Sequence, residues 1–195
     1  MIALVLAAGQ GRRMGGPKAL LVNENGQPLA WAHALERYGD CRTTVIVARA
    51  DVVPVLERCR PAAVHAELIA SKEADELGPA GSIRAAMQAL SLGQDEWVLL
   101  SPVDCPPAPQ ATVEQLVAAS HGVDAVRPRV EGRGGHPVLL RAAVLAEYRQ
   151  QARPLRDVLR AMSTERIRDV QLPDRSLLND FDTPTDWGRT PHFVE

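Results

Sequence analysis

A glycine-rich basic loop follows the first apolar run of the chain. The run 2–8 is apolar without alternation, which predicts a strand buried on both faces. The stretch 9–18 after it, GQGRRMGGPK, contains four glycines and three cationic residues. Glycine lets a backbone approach an anion closely, and free N–H groups and nearby cations then hold that anion. The loop is therefore expected to bind phosphate groups.

Two common phosphate-binding loops do not fit this stretch. The P-loop has a lysine directly after glycine and before serine or threonine, whereas Lys18 follows a proline and precedes an alanine. The dinucleotide fingerprint G-x-G-x-x-G fails because Gly9, Gly11 and Gly15 leave one residue too many. A dinucleotide dehydrogenase is therefore disfavoured.

The lysine of this loop is unusual for the chain. Of 22 basic residues only Lys18 and Lys72 are lysine, so the chain otherwise uses arginine. A lysine supplies a compact point charge rather than a planar fork. This choice favours a phosphate site over the alternative, a flexible loop with solvated charges.

Two further segments stand where a strand gives way to a loop. In 78–82, GPAGS, small residues leave room for a ring or sugar and Ser82 can hydrogen-bond, although an ordinary helix N-terminus capped by serine is the alternative. Asp104 lies among prolines in SPVDCPP after the apolar run 96–100. A carboxylate held there suits Mg²⁺, which favours one or two carboxylates together with substrate phosphates. A turn or helix-capping aspartate is the simpler interpretation.

The last third of the chain supplies two more candidates. In NDFDTP, Asp180 and Asp182 point the same way if the segment is extended, so one can meet the metal of Asp104. Alternatively, Asp182 or Thr183 caps a helix beginning after Pro184. The stretch 132–137, GRGGHP, predicts a mobile loop that contacts a second substrate, in which His136 binds phosphate or satisfies a backbone carbonyl.

Strands alternate with helices along the chain, which predicts a mostly parallel sheet with helices on both faces and ligands beyond the carboxyl ends of the strands. The predicted strands are 2–8, 43–48, 64–69, 96–100, 125–129, 136–140 and 167–172. The predicted helices are 28–38 closed by Gly39, 51–60 capped by Asp51, 82–92, 110–119, 142–151 and 154–162, with a final turn at 185–189.

Composition narrows the class of protein. The 195 residues suit one domain spanning 1–195, and few aromatics predict an aliphatic core. A net charge of −2 argues against nucleic-acid binding. No apolar run is long enough to span a membrane, and the N-terminus lacks the positive region of a signal peptide. Three cysteines without metal spacing fit a reducing cytoplasm.

Six segments in register resemble the nucleotidyltransferases that act on the molybdenum cofactor, especially the molybdopterin cytidylyltransferase-like branch. They are LAAGQGRRMGGPKAL, GPAGSIRAAM, SPVDCP, GGHPVLL, RPLRDVL and NDFDTPTD, and the resemblance runs from Leu6 to Trp187. It implies a single α/β domain of the nucleotide-diphospho-sugar transferase type, with a Rossmann-like, mostly parallel twisted sheet. It also implies Mg²⁺-dependent transfer of a nucleoside monophosphate from a triphosphate to a phosphate of molybdopterin, releasing pyrophosphate. Molybdoenzyme maturation proteins would be partners.

The resemblance also implies roles for individual residues. Lys18, Arg13 and Asp104 would be catalytic, and Asp104 and Asp182 would bind Mg²⁺. Nucleotide-binding residues would be Leu6, Ala7, Ala8, Gly9, Gly11, Arg12, Arg13, Met14, Gly15, Lys18, Gly78 and Ser82. Acceptor-binding residues would be Gly135, His136 and Asp180.

The nucleobase depends on a finer comparison within that family. The guanylyltransferase branch typically reads LAGG, whereas Ala8 makes LAAG here, which favours CTP. GTP, a sugar or polyol phosphate acceptor, and a non-catalytic nucleotide- or cofactor-binding module remain alternatives.

Overall fold

One mixed sheet organises the protein. The computed structural model describes residues 1–36 and 41–194, with Ala74 and Asp75 described through their backbone alone. Within these residues the strands are β1 (Ile2–Ala7), β2 (Thr44–Arg49), β3 (Ala66–Ser71), β4 (Trp97–Pro102), β5 (Ala125–Val130), β6 (Arg133–Gly134), β7 (Val138–Arg141) and β8 (Ile167–Gln171). Their order is β3-β2-β1-β4-β7-β5-β6, and β8 pairs with β5.

Helices connect these strands. They are α1 (Leu29–Leu35), α2 (Val53–Arg58), α3 (Ala74–Leu77), α4 (Pro79–Ala89), α5 (Gln110–Ala118), α6 (Ala142–Leu145), α7 (Leu155–Ala161) and α8 (Pro184–Trp187). Short 3-10 helices lie at Arg12–Met14, Lys18–Leu20, Ala146–Arg149 and Arg175–Leu178.

The central strands are parallel. β1 pairs in parallel with both β2 and β4, β2 pairs in parallel with β3, and β5 pairs in parallel with β8. β7 runs antiparallel between β4 and β5. The predicted α/β class with a mostly parallel sheet is confirmed. Because β1 and β4 are parallel neighbours, with Leu6 opposite Pro102, the loops that follow them leave the same edge side by side.

Both faces of β1 are buried, as its unbroken apolar run predicts. Ile2 and Leu4 pack with Met87 of α4 on one face. Val5 packs with Trp31 of α1 on the other. The strand is therefore a rigid base for the loop that follows it.

Several predicted helix boundaries were wrong. Asp51 does not cap α2, because its carboxylate accepts two hydrogen bonds from Arg49, at 2.9 and 3.1 Å. α4 begins at Pro79 rather than at Ser82, since a proline needs no N–H partner in a first turn. The predicted helix 142–151 is α6 followed by a 3-10 helix ending at Arg149. The predicted end of the first helix at Gly39 lies outside the described residues.

The glycine-rich stretch 132–137 was predicted as a mobile loop, but half of it is a hairpin. β5 and β6 pair antiparallel, with Arg129 opposite Gly134. Glu131 and Gly132 make the turn with φ of +51° and +77°. Two consecutive left-handed residues give the tight turn that a two-stranded ribbon needs.

Candidate functional site

The glycine loop has a conformation that requires glycine at Gly11. This residue has a φ of +62°, and a Cβ built on it would lie 1.9 Å from the carbonyl oxygen of Gly16. The carbonyl oxygen of Gly11 itself accepts hydrogen bonds from the amides of Met14 at 2.8 Å and of Gly16 at 3.3 Å. The loop therefore folds back over Gly11 and carries Lys18 to the edge of the sheet.

Lys18 lies between two carboxylates from distant parts of the chain. Its Nζ donates to Asp104 Oδ2 at 2.9 Å and to Asp182 Oδ1 at 2.7 Å. Arg13 Nη2 donates to the second oxygen of Asp182 at 2.8 Å. The three residues predicted to surround a triphosphate and its metal are thus brought together, with Arg13 beside them.

The electrostatics of this group favour the charged forms. Partial burial opposes the charge on Lys18, but the hydrogen bonds that Lys18 donates to Asp104 and Asp182 outweigh burial, so the pKa of the ammonium is raised. The hydrogen bond from Lys18, assisted by the charge of Arg13, lowers the pKa of Asp182. The Lys18 ammonium and the Asp182 carboxylate are therefore both ionised at neutral pH.

A cleft of about 260 Å³ opens above these residues. Its walls come from the glycine loop, from the start of α4 and from the loop after β4. The lining residues are Leu6, Ala8, Gly9, Gly11, Arg12, Arg13, Lys18, Gly78, Pro79, Ser82, Pro102, Val103, Asp104 and Asp182. Most of the residues predicted to bind nucleotide therefore line one cavity. Lys18 and the two carboxylates, Asp104 and Asp182, line it as well.

Three predicted nucleotide-binding residues do not line this cleft. Ala7 and Met14 are 0% and 2% exposed and pack in the core beneath the loop. Gly15 forms a left-handed turn with a φ of +88° and is exposed. Alternate residues of a strand point to opposite faces, so Ala7 faces the core rather than the cleft. The apolar side chain of Met14 is buried in the same core and anchors the 3-10 turn.

The predicted acceptor residues lie beside the cleft rather than in its wall. Gly135 is buried, and a Cβ there would lie 2.7 Å from the carbonyl oxygen of Leu177. The amide of His136 donates to that same carbonyl at 2.9 Å. Burial lowers the pKa of His136, against the opposing charges of Asp104 and Asp180. Its buried Nδ1 has no hydrogen-bond partner among the described residues. Asp180 is exposed.

The helix-cap interpretation of the segment 180–184 holds for Thr183 and not for Asp182. Thr183 caps α8 in a reciprocal capping box with Asp186. Asp182 is left to reach Lys18. The cap fixes the backbone directly after Asp182, so the helix start and the site support one another.

The donor set fits a metal that also binds substrate phosphates. No group of three or more His, Cys, Asp or Glu side chains that could hold a metal occurs in the parts of the chain described. Asp104 and Asp182 nevertheless converge on a single cation, the Lys18 ammonium. Two carboxylates with phosphates and water completing the shell are typical of Mg²⁺.

Cys105, the neighbour of Asp104, does not suit nucleophilic chemistry. Burial, and then the charge of Asp104, raises the pKa of its thiol to about 12. The thiol is therefore protonated at neutral pH, and a protonated thiol is a poor nucleophile.

The sequence reasoning missed the C-terminal strap, here the residues Arg189–Val194. The amide of Val22 donates to His192 at 2.8 Å, and the amide of Val194 donates to Leu20 at 3.1 Å. The ring of Phe193 lies against Gly16, where a Cβ would be 3.1 Å from it. The strap thus supports the glycine loop from outside. Its only sequence signal is an isolated apolar pair, FV, after a proline.

None of the described helices combines the length and the apolar character needed to cross a membrane.

Solved structures of other proteins share this fold. A molybdopterin-guanine dinucleotide biosynthesis protein A from Archaeoglobus fulgidus is 22% identical, with a TM-score of 0.67 over 97% of this chain and 96% of that one. Rv0371c of Mycobacterium tuberculosis, solved in complex with manganese, is 19% identical, with a TM-score of 0.74 over 96% and 95% of the two chains.

The chain belongs to the MobA-like NTP transferase family, whose domain model matches residues 3–167. A Synechococcus elongatus protein named "Probable molybdenum cofactor guanylyltransferase" is 32% identical over 200 residues, covering 95% of each chain. The predicted family and the predicted enzyme class, a nucleotidyltransferase, are confirmed.

Proposed function

We propose that the protein transfers a nucleoside monophosphate, with GMP from GTP as the first candidate, to the terminal phosphate of a molybdopterin-type acceptor and releases pyrophosphate. The observation that supports this most is the convergence of Lys18 with Asp104 and Asp182 at the mouth of the glycine loop. A cation and two carboxylates at one point suit a phosphate–metal unit better than either charge alone.

The glycine loop would hold the triphosphate. The backbone around Gly9 and Gly11 lines the cleft, and Arg12 and Arg13 lie beside it to offset phosphate charge. Gly78 and Ser82 line the opposite wall, where the small side chains leave room for base and ribose. Binding would therefore fix the α-phosphate near Lys18.

The transfer needs positioning and charge stabilisation rather than a general base. An oxygen of the acceptor phosphate attacks the α-phosphorus, the bond from that phosphorus to the β-phosphate oxygen breaks, and pyrophosphate leaves. The attacking oxygen is already anionic, so no proton must be removed. Lys18 and Arg13 would stabilise the charge that grows on the transferred and leaving groups.

Asp104 and Asp182 would hold Mg²⁺, with Lys18 moving from between them to the phosphates. A bound magnesium ion would neutralise phosphate oxygens and make pyrophosphate a better leaving group. The manganese complex of a structural neighbour supports a divalent metal of this kind.

The acceptor would approach from the side of Gly135, His136 and Asp180. These residues lie next to the cleft, and the charges of Asp104 and Asp180 both act on the His136 ring. The cysteines at 41, 59 and 105 form no disulfide among the described residues. A reducing cytoplasm remains the proposed location.

Two observations bear on the choice of nucleobase, and they favour different nucleotides. The S. elongatus relative is named a guanylyltransferase, which supports GTP over the CTP that we predicted. Ala8 lines the cleft where the guanylyltransferase branch typically has glycine, and this favours CTP. GTP is taken first because the support from the relative extends over 95% of the chain.

A thermal-shift screen and a transfer assay test the proposal. With Mg²⁺, the preferred nucleotide among GTP, CTP, ATP and UTP should raise the unfolding temperature most, since ligand binding stabilises the native state. Pyrophosphate release should then require that nucleotide together with molybdopterin, and a sugar phosphate should not replace the molybdopterin. Nucleotide binding without turnover in the presence of molybdopterin would overturn the proposal in favour of a non-catalytic binding module.

A further inference from the structure

His33 is a fully buried polar side chain that the proposed chemistry does not use. It lies on α1, is 0% exposed, and is surrounded by the core that packs α1 against β1. Its ring Nε2 is 3.0 Å from the carbonyl oxygen of Cys105. The carbonyl of Val103 also lies beside the ring. One imidazole therefore contacts the peptide on each side of Asp104.

The loop that carries Asp104 needs such outside support. Pro102, Pro106 and Pro107 have no N–H and cannot anchor the loop through donors of their own. The amide of Val103 donates to Leu6 at 3.0 Å, and after this point the loop leaves the sheet. Two of the carbonyls in residues 103–105 are paired from outside the loop, that of Cys105 by His33 and that of Asp104 by the amide of Phe181.

The three successive carbonyls are engaged from two directions. The ring of His33 lies against those of Val103 and Cys105 from the core side, and its Nε2 is 3.0 Å from the oxygen of Cys105. The amide of Phe181 donates to the carbonyl of Asp104 at 2.9 Å from the other side. These contacts hold the backbone at Asp104 and at its two neighbours. The Asp104 carboxylate is thereby positioned to accept the hydrogen bond from Lys18 at 2.9 Å.

Burial lowers the pKa of His33 to about 4, so the ring is neutral at neutral pH and supplies one N–H. A neutral donor adds no charge beneath Asp104. It acts on the carboxylate through the backbone alone.

We propose that His33 is a positioning residue, whose ring fixes the backbone on both sides of Asp104 and so holds that carboxylate in the geometry that a metal–nucleotide complex requires. The inference rests on the proposed role of Asp104 as a metal ligand. It assigns to α1, which does not line the cleft, an indirect part in metal affinity through the backbone beside Asp104.

The test compares variants that differ in one hydrogen-bond donor. Gln and Met have nearly the same length, but only Gln can donate to a carbonyl. His33→Met should raise the dissociation constant for Mn²⁺ by about tenfold, and His33→Gln should keep it within about threefold of the wild type, as expected when an outer-shell partner is lost or replaced. Mn²⁺ binding is measured by electron paramagnetic resonance with the α,β-methylene analogues of GTP and CTP, which do not react.

Trp31→Phe is the matched control. Trp31 lies on the same helix, is 0% exposed, and donates its Nε1–H to the carbonyl of Leu56 at 3.2 Å, away from Asp104. Both His33→Met and Trp31→Phe lose a buried hydrogen bond and should lower the unfolding temperature. Only His33→Met should also weaken Mn²⁺ binding.

Each outcome bears on a different claim. Equal Mn²⁺ affinity in folded His33→Met and in Trp31→Phe would overturn the positioning role while leaving the metal site intact. A wild-type protein that binds no Mn²⁺ with either nucleotide would overturn the proposed function and this inference together. If His33→Met does not fold, thienylalanine at position 33, a ring of imidazole shape without an N–H, provides the same comparison.

Discussion

The backbone amide of Phe181 donates to the carbonyl of Asp104 at 2.9 Å. The two segments that supply the carboxylates are therefore joined through their main chains as well as through Lys18. Asp182 follows Phe181 directly, so this single backbone contact sets the distance between the carboxylates. A site tied in this way does not depend on side-chain charges alone for its assembly.

Removing the Lys18 ammonium should slow transfer strongly. By comparison with the loss of one donor to a transition-state anion, Lys18→Ala should cost about 3 kcal/mol, or on the order of a hundredfold in kcat. Pyrophosphate release under saturating substrates is the measurement. Lys72→Ala is the control, because Lys72 is exposed and lines no part of the cleft. A folded Lys18→Ala enzyme with normal kcat would rule out the assigned role.

Neutralising Asp104 should raise the metal requirement. Asp104→Asn keeps the shape of the side chain but weakens its bond to Mg²⁺, so the half-saturating Mg²⁺ concentration should rise by about tenfold or more. The change is read from activity as a function of Mg²⁺ concentration. Asp95→Asn is the control, since Asp95 is 97% exposed and pairs with Arg141 away from the cleft. An unchanged Mg²⁺ titration would exclude metal ligation by Asp104.

A methyl group at Gly11 should distort the glycine loop. The left-handed φ of +62° and the 1.9 Å approach to the Gly16 oxygen leave no room for a Cβ. Gly11→Ala should therefore cost at least about 1 kcal/mol of stability and weaken nucleotide binding. Gly93→Ala is the matched control, because a Cβ at Gly93 meets nothing within 4 Å. Calorimetry of unfolding and of nucleotide binding checks both effects, and a wild-type affinity for Gly11→Ala would contradict the loop assignment.

Acid should remove the contribution of Asp182 to stability. The hydrogen bond from Lys18 lowers the pKa of Asp182, so its carboxylate favours folding above the unfolded value of about 4, and this contribution is lost as pH falls through the lowered folded value. The unfolding temperatures of the wild type and Asp182→Asn should differ near neutral pH. They should converge as pH falls below about 4, where the protonated side chain resembles the amide. A difference that is constant across this range would show that the ion pair does not act on stability.

The strand ends could be located from the sequence because two local patterns agreed there. An apolar run without alternation marks a strand buried on both faces, and a break into glycine, proline and charge marks its end. The parallel arrangement then places the loops after β1 and β4 at one edge, which is why Lys18 and Asp104 could be expected to meet.

Features that depend on which of several partners a side chain binds, or on tertiary contact, could not be predicted in this way. Asp51 has the residue type and position of an N-cap, but Arg49 two residues earlier binds its carboxylate instead. His33 lies in an ordinary amphipathic pattern, and nothing in that pattern indicates that its ring faces the backbone beside Asp104. The contact of Phe193 with Gly16 likewise joins segments with no shared local signal.

The pairing of Lys18 with Asp182 spans 164 positions of the chain. During synthesis the glycine loop leaves the ribosome early, while its carboxylate partner emerges only after the whole sheet has been translated. The nascent protein therefore cannot form this ion pair until residue 182 has emerged from the ribosome. Cleavage of the chain between residues 18 and 182 would place the two partners on separate fragments.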